Sequence, residues 1–153
     1  MQEAPGLRHL AHLDVELAAP IELGDSPRGR RRIIPIIGGT VTGERLSGEI
    51  LNLGADWQTV LSDGTAELDT RYAMRSHDGA SIDIRNFGYR HGPKDVLDAL
   101  GRGEAVDPSL YYMRTQPRFE TGDARYAWLN RIVCIGTGAR LANGVRVSFF
   151  EVL

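Results

Sequence analysis

In segment after segment of this chain, hydrophobic and polar residues alternate one for one, the period of two required of a strand with one buried face. In the first segment, LRHLAHLDVEL, Leu7, His9, Ala11, Leu13, Val15 and Leu17 share one phase. RRIIPIIGGTVTG, LSGEILNL, WQTVLS, AELDTRYAMRS, SIDIRNFGYR, LYYMRTQPRF, RIVCIGTGARL and VRVSFFEVL bring the series to eight or nine strands. Eighteen glycines and seven prolines, spread evenly, separate them at intervals of about ten residues, the rhythm of a sandwich or barrel. Asp63-Gly64, Asp78-Gly79 and Asn143-Gly144 are hairpin-turn signals. Pro35 cannot donate a ladder hydrogen bond, which puts it at an edge or bulge, and Gly38 and Gly39 then permit a sharp bend.

Helical periodicity is confined to PKDVLDALGRG, with Pro93 at its start, Val96, Leu97 and Leu100 on one side, and Gly101 or Gly103 at its end. GDARYAWLN can supply one further turn. Successive hairpins with few charges to guard an edge predict an antiparallel sheet closed on itself, because closure removes unpaired backbone groups. The expected fold is therefore all-β: one antiparallel β-barrel domain over residues 1–153, with a short helix near 93–102. An open sandwich is the alternative. With about eight strands, a barrel interior is filled by side chains or holds one small ligand.

Composition narrows the function classes. The 42% apolar and 25% charged content is that of a soluble globular chain, and no apolar run approaches the roughly 18 residues of a membrane helix. MQEAPGLRHLAHLDVEL lacks a basic start followed by an apolar stretch, so a cytoplasmic protein without a secretory signal is expected. Cys134 stands alone, which leaves no internal disulfide and no cysteine-based zinc cluster. The four histidines lack metal-ligand spacing, and no Gly-rich phosphate loop or nucleophile elbow is present, so neither a metal nor a cofactor is expected. A net charge of -2 offers nucleic acid no general attraction. Lys94 is the single lysine among 18 basic residues. Such a bias toward arginine suits anionic ligands, but an arginine-favouring codon usage is the simpler source of it. Arg28, Arg30, Arg31 and Arg32 lead directly into IIPII and read as a solvated strand entry.

Polar residues in phase with apolar ones are the informative positions, since a buried polar group needs a partner. Tyr72 shares the phase of Leu68 and Met74, with Arg71 on the opposite face. Asn86 follows Ile82 and Ile84, and Thr115 follows Tyr111 and Met113, while a bulge at Pro117 would turn Arg114 inward instead. His9 falls on the buried face of the first strand, His77 and His91 fall at turns, and Glu151 sits near a barrel rim. Two loop segments place carboxylates beside indoles: GADWQ, with Asp56 and Trp57, and RTQPRFETGDARYAWLNR, with Glu120, Thr121, Asp123, Trp128 and Asn130. Apolar surroundings raise a carboxyl pKa and suit it to proton transfer, while capping a turn or pairing with arginine is the structural alternative for Asp56 and Glu120.

The blocks IIGGTVTGERLSGEILNLGADWQ, DGTAELDTRYAMRSHDGASIDIRNFGYR, YYMRTQPRFETGDARYAWLNR and IGTGAR, in this order, resemble the family catalogued as domain of unknown function 3237, also called uncharacterised protein family 0311. The resemblance runs from about Leu10 to Val152. It implies a single barrel similar in shape to lipocalin-like or allene-oxide-cyclase-like barrels, with members suggested to act as cyclases or isomerases on small molecules. Its strongest blocks fall on Asp56, Trp57, Arg71, Tyr72, Asn86, Arg114, Thr115, Glu120, Trp128 and Asn130.

The expected site is thus a cavity lined by Tyr72, Asn86, Thr115, Trp57 and Trp128 that takes a small, carbonyl-bearing organic molecule. Asp56 or Glu120 is the candidate base, Tyr72 the hydrogen-bonding acid, and Arg114 or Arg71 the holder of an anionic oxygen. Such a set suits cofactor-free isomerisation, ring closure by conjugate addition, or hydration; a non-catalytic carrier or sensor is the alternative. Cys134, mid-strand in an apolar phase, is a poor nucleophile. Phe149 and Phe150 are consecutive, so one faces outward, a reason to expect a homodimer.

Overall fold

A computed structural model describes residues 1–153. Its ten strands are β1 (Leu7–Leu17), β2 (Ile21–Ser26), β3 (Gly29–Thr42), β4 (Gly48–Ile50), β5 (Ala55–Val60), β6 (Ala66–Ser76), β7 (Ser81–His91), β8 (Tyr112–Glu120), β9 (Cys134–Leu141) and β10 (Gly144–Val152). The sheet runs β1-β10-β9-β8-β7-β6, where β4 and β5, end to end, both bridge β6 to β3. Strand β3 then pairs with β1, and the sheet closes. The result is an eight-stave antiparallel barrel, as the hairpin pattern predicted. No helix is long and apolar enough to cross a membrane.

Strand β2, which carries no period-two pattern, is the element that the sequence did not announce. It forms a projecting hairpin with the first half of β3, pairing Ile21 with Ile33 and Ser26 with Gly29. The second half of β3 pairs with β1 instead. Pro35 lies at this change of partner, where its missing N–H costs no ladder bond, and its carbonyl accepts from the Ala18 amide at 3.0 Å. Gly39 follows with φ +137°, and a Cβ there would meet the Asp14 carbonyl oxygen at 2.1 Å, so the strands cross too closely for any side chain.

Burial alternates along β7 and β8: Ile82, Ile84, Asn86 and Arg90 on one strand and Met113, Thr115 and Phe119 on the other face inward. Pro117 is buried without reversing the phase, so Arg114 faces out. Its effect falls on β9: that ladder contains Arg114↔Thr137 and Thr115↔Gly136 and stops short of the proline, which has no N–H to offer. A 3-10 helix, Ala124–Arg131, covers the opening with Leu129 buried and Trp128 packed on the core.

The first strand departs from its simple alternation. Its register with β10 shifts between His9 and Ala11, inserting Leu10 so that Leu10 and Ala11 are both buried. The bulge turns His9 to solvent, correcting its expected place in the core. Phe149 is fully buried and Phe150 faces out, half-covered by the edge of the His9 ring at 5.6 Å.

Two apolar clusters fill the barrel. The larger gathers Leu10, Leu13, Leu46, Met74, Ile82, Ile84, Leu129 and Phe149 at one end. The smaller joins Ala66, Leu68, Tyr111 and Met113 to Leu100 of α1 (Lys94–Gly101), which caps the other end where the sequence placed a helix. At the larger cluster's rim, the Glu151 carboxylate accepts from the guanidinium groups of Arg8 and Arg45, which hold it below the usual glutamate range. The stability this contributes is present above the ordinary glutamate pKa and is lost as pH falls through the depressed value. Glu151→Gln is therefore expected to flatten the acid limb of stability, checked by urea midpoints at neutral and acidic pH.

Candidate active site

Between the two clusters the side chains leave a partly open cavity of about 60 Å³, room for a few waters' worth of ligand. One wall is apolar: Val15 and Leu17 of β1, Ile34 and Ile36 of β3, Val145 and Val147 of β10. The facing arc is polar. Asp56 and Gln58 enter from β5, Thr70 and Tyr72 from β6, Asn86 and Arg90 from β7, and Arg140 from β9.

Asp56 is nine-tenths buried because β5 turns the same face inward at residues 56 and 58. Its Oδ1 accepts from the Asp69 amide at 2.9 Å, and its Oδ2 from Gln58 Nε2 at 3.1 Å. The β5–β6 ladder pairs Asp56 with Thr70 and resumes at Thr59 with Glu67, so the carboxylate takes a backbone donor in the interval. A carboxylate offers about four lone-pair directions, which leaves some of them for the cavity. Burial raises its pKa above the ordinary aspartate value, opposed by the Asp69 amide, Gln58, Thr70 and the charge of Arg90. Tyr72 lies deeper, 2% exposed, and burial alone pushes its phenol upward, so it stays protonated and can donate.

Three arginines converge at the other end of the arc. Arg90 is 9% exposed, and its pKa is pulled down to about 10 by burial first, then by Arg140 and Arg32. Arg32 is also depressed, by burial first and then by Arg140, and donates from Nε to Gln58 Oε1 at 2.7 Å. The β3 phase that buries Ile34 and Ile36 also brings Arg32 to the mouth of the barrel, which corrects its reading as a solvated strand entry.

The structure brings Asp56, Tyr72 and Asn86 to one cavity and leaves the other sequence candidates elsewhere. Asp56 is on a strand and not in a loop, so alternation puts the adjacent Trp57 outside, 40% exposed. Glu120 alternates with the buried Phe119 at the end of β8 and faces solvent, beyond reach of the cavity and not dehydrated as its aromatic neighbours suggested. Arg71 is exposed, 3.9 Å from Asp83, and Arg114 lies outside over the Tyr112 ring. Thr115 is buried and faces inward beside Gly136 but does not line the cavity. Trp128 packs at the far end of the barrel, with the Arg45 guanidinium 4.7 Å from its ring centre. Asn130 clamps Thr121, accepting from its amide at 2.8 Å and donating to its carbonyl at 2.9 Å. Cys134 is buried, and its thiol is pushed up to about 11, chiefly by burial.

Gln58, Thr70, Arg90 and Arg140 were not singled out in the sequence. The signal was available in phase: continuing Ile82, Ile84, Asn86 by two steps of two reaches Arg90, and continuing Cys134, Gly136, Gly138 reaches Arg140.

The family described as "Protein of unknown function (DUF3237)" matches residues 5–152. The chain belongs to this family. A UPF0311 protein of Rhodopseudomonas palustris is 45% identical to this DUF3237 chain over 130 residues, 85% of each. One from Clostridium acetobutylicum is 40% identical over 141 residues, covering 92% of this chain and 89% of its own. The crystal structure of a conserved protein of unknown function from Rhodopseudomonas palustris superposes with a TM-score of 0.94 at 39% identity, covering 100% of both chains. A beta-barrel-like protein from Acinetobacter baumannii gives 0.88 at 44% identity, covering 100% of this chain and 99% of its own. An enzyme from Penicillium herquei shares the DUF3237 barrel's fold, with a TM-score of 0.75 at 18% identity and coverage of 100% and 98%.

Proposed function

We propose that the barrel interior binds a small carbonyl-bearing organic molecule and catalyses cofactor-free proton transfer on it, with Asp56 as the base. The observation that supports this is the placement of Asp56: a dehydrated carboxylate of raised pKa on the wall of a largely apolar cavity. Such a group exchanges protons near neutral pH better than a solvated one. Tyr72, protonated and aimed into the same space, can donate to a carbonyl oxygen as charge develops on it, and Asn86 can orient the same group. Removal of a proton beside the carbonyl and its return at another atom is isomerisation; attack on the conjugated product by an internal hydroxyl or by water is ring closure or hydration.

The test is proton exchange in deuterium oxide. A set of 1,3-diketones and β-hydroxy ketones is incubated with the protein, and loss of the signals of protons beside the carbonyl is followed by NMR. Exchange faster than in buffer, and lost in Asp56→Asn, is the expected result. Binding of these compounds without exchange would put a carrier or sensor in place of the catalyst.

A further inference from the structure

We infer that the molecule held in this cavity is an organic acid, and that Arg90 and Arg140, with Arg32 beside them, receive its carboxylate. This deepens the proton-transfer reading and rests on it for the role of Asp56. Arg90 is nine-tenths buried, and its Nε has no hydrogen-bond partner in the protein. The Nε of Arg140 is buried and equally unpartnered. Both side chains line the cavity. Against the three guanidinium charges the cavity offers one carboxylate, Asp56, and it forms an ion pair with none of them.

A buried cation without a counter-ion is costly. Elsewhere several more exposed arginines have one: Glu151 serves Arg8 and Arg45, Asp123 and Asp78 serve Arg125, and Glu22 serves Arg30. None of Arg32, Arg90 and Arg140 has an ion pair. The missing partner is therefore the ligand. A guanidinium presents paired N–H groups in one plane, the geometry that matches a flat carboxylate. Asn86 Oδ1, 5% exposed as a residue and unpartnered, waits in the same cavity for a donor. The best-fitting class is thus a short hydroxy- or oxocarboxylate, its charged end on the arginines, with a hydroxyl that donates to Asn86 Oδ1 or Asp56, or a carbonyl that accepts from the Tyr72 phenol.

The experiment compares 4-oxopentanoate and 3-hydroxybutanoate with their methyl esters and with inorganic phosphate, by calorimetric titration in a buffer free of small anions. The carboxylates are expected to bind at least tenfold more tightly than the esters and than phosphate. Arg90→Met and Arg140→Met should each weaken carboxylate binding at least tenfold while melting, without ligand, no lower than the wild type. Arg90→Lys, which keeps the charge and loses the fork, should also bind more weakly and covers the case in which the methionine variant does not fold. Esters binding as well as acids, phosphate binding in preference to both, or unchanged affinity in the arginine variants would overturn the inference. Carboxylates that bind on the arginines without proton exchange would uphold it and remove the proton-transfer reading instead.

Discussion

Phe149→Ala is expected to lower stability by about 3–5 kcal/mol, and with it the melting temperature by on the order of ten degrees. The ring is fully buried on the inner face of β10 and meets Phe119 edge-on at 5.9 Å between centroids. Its neighbours cannot collapse into the space it leaves, because they are strand residues fixed by ladders on both sides. The adjacent Phe150→Ala is expected to cost about 1 kcal/mol or less, since its ring is half-buried on the outer face beside the His9 ring. Urea unfolding of the two variants reads the inside and outside of the barrel from consecutive residues. Equal losses would contradict the phase assigned to β10.

The largest functional effect is expected at Asp56. Asp56→Asn should slow proton exchange by roughly two to four orders of magnitude, the usual contribution of a positioned general base. Asparagine keeps an oxygen for the Asp69 amide, so the barrel should survive the change. In the wild type, exchange should rise with pH along a limb centred above the ordinary carboxylate range, because the base must be ionised and burial raises its pKa. The contribution of Asp56 to stability should run the other way. A folded pKa above the unfolded one means that the native state holds more protons in the interval between them, so stability falls as pH rises from the ordinary aspartate value through the raised one. Asp56→Asn should abolish both dependences, as read by exchange rates and urea midpoints across that interval.

Much of this architecture is legible in the sequence, for a physical reason. Period-two burial on β6, β7, β8 and β10 follows from one side of each strand facing a closed interior, and residues such as Tyr72, Asn86 and Phe149 take the side that the alternation dictates. Alternation fails where the chain inserts a residue. The bulge at Leu10 moved His9 outward, and nothing in LRHLAHLDVEL marks it, since both phases hold apolar residues. Strand β2 escaped notice because it is exposed on both faces and so carries no pattern.

The site is only partly legible because adjacency in sequence does not put two side chains on one face of a strand. Asp56 and Trp57 are neighbours in GADWQ, yet on a strand neighbours face opposite ways, and the indole cannot share the acid's cavity. Glu120 next to Phe119 fails for the same reason. Arg90 and Arg140 lie in inward phases, but arginines at strand ends invite a solvated reading. Only closure of the sheet, which brings β3, β7 and β9 around one space, turns Arg32, Arg90 and Arg140 into a cluster.

The account depends on a proton-accepting carboxylate inside the barrel, and the ionisation of Asp56 itself is the most direct measure of it. Carbon-13 NMR of the aspartate carboxyl carbons, with Asp56→Asn to assign the signal, follows that group alone through a pH titration. The expected result is a midpoint above the ordinary aspartate value, moving higher still in Arg90→Met, where a neighbouring positive charge that favours ionisation is gone. A midpoint at or below the ordinary value, indifferent to Arg90, would mean that Asp56 is a solvated or structurally paired carboxylate, and the account of the site would be wrong.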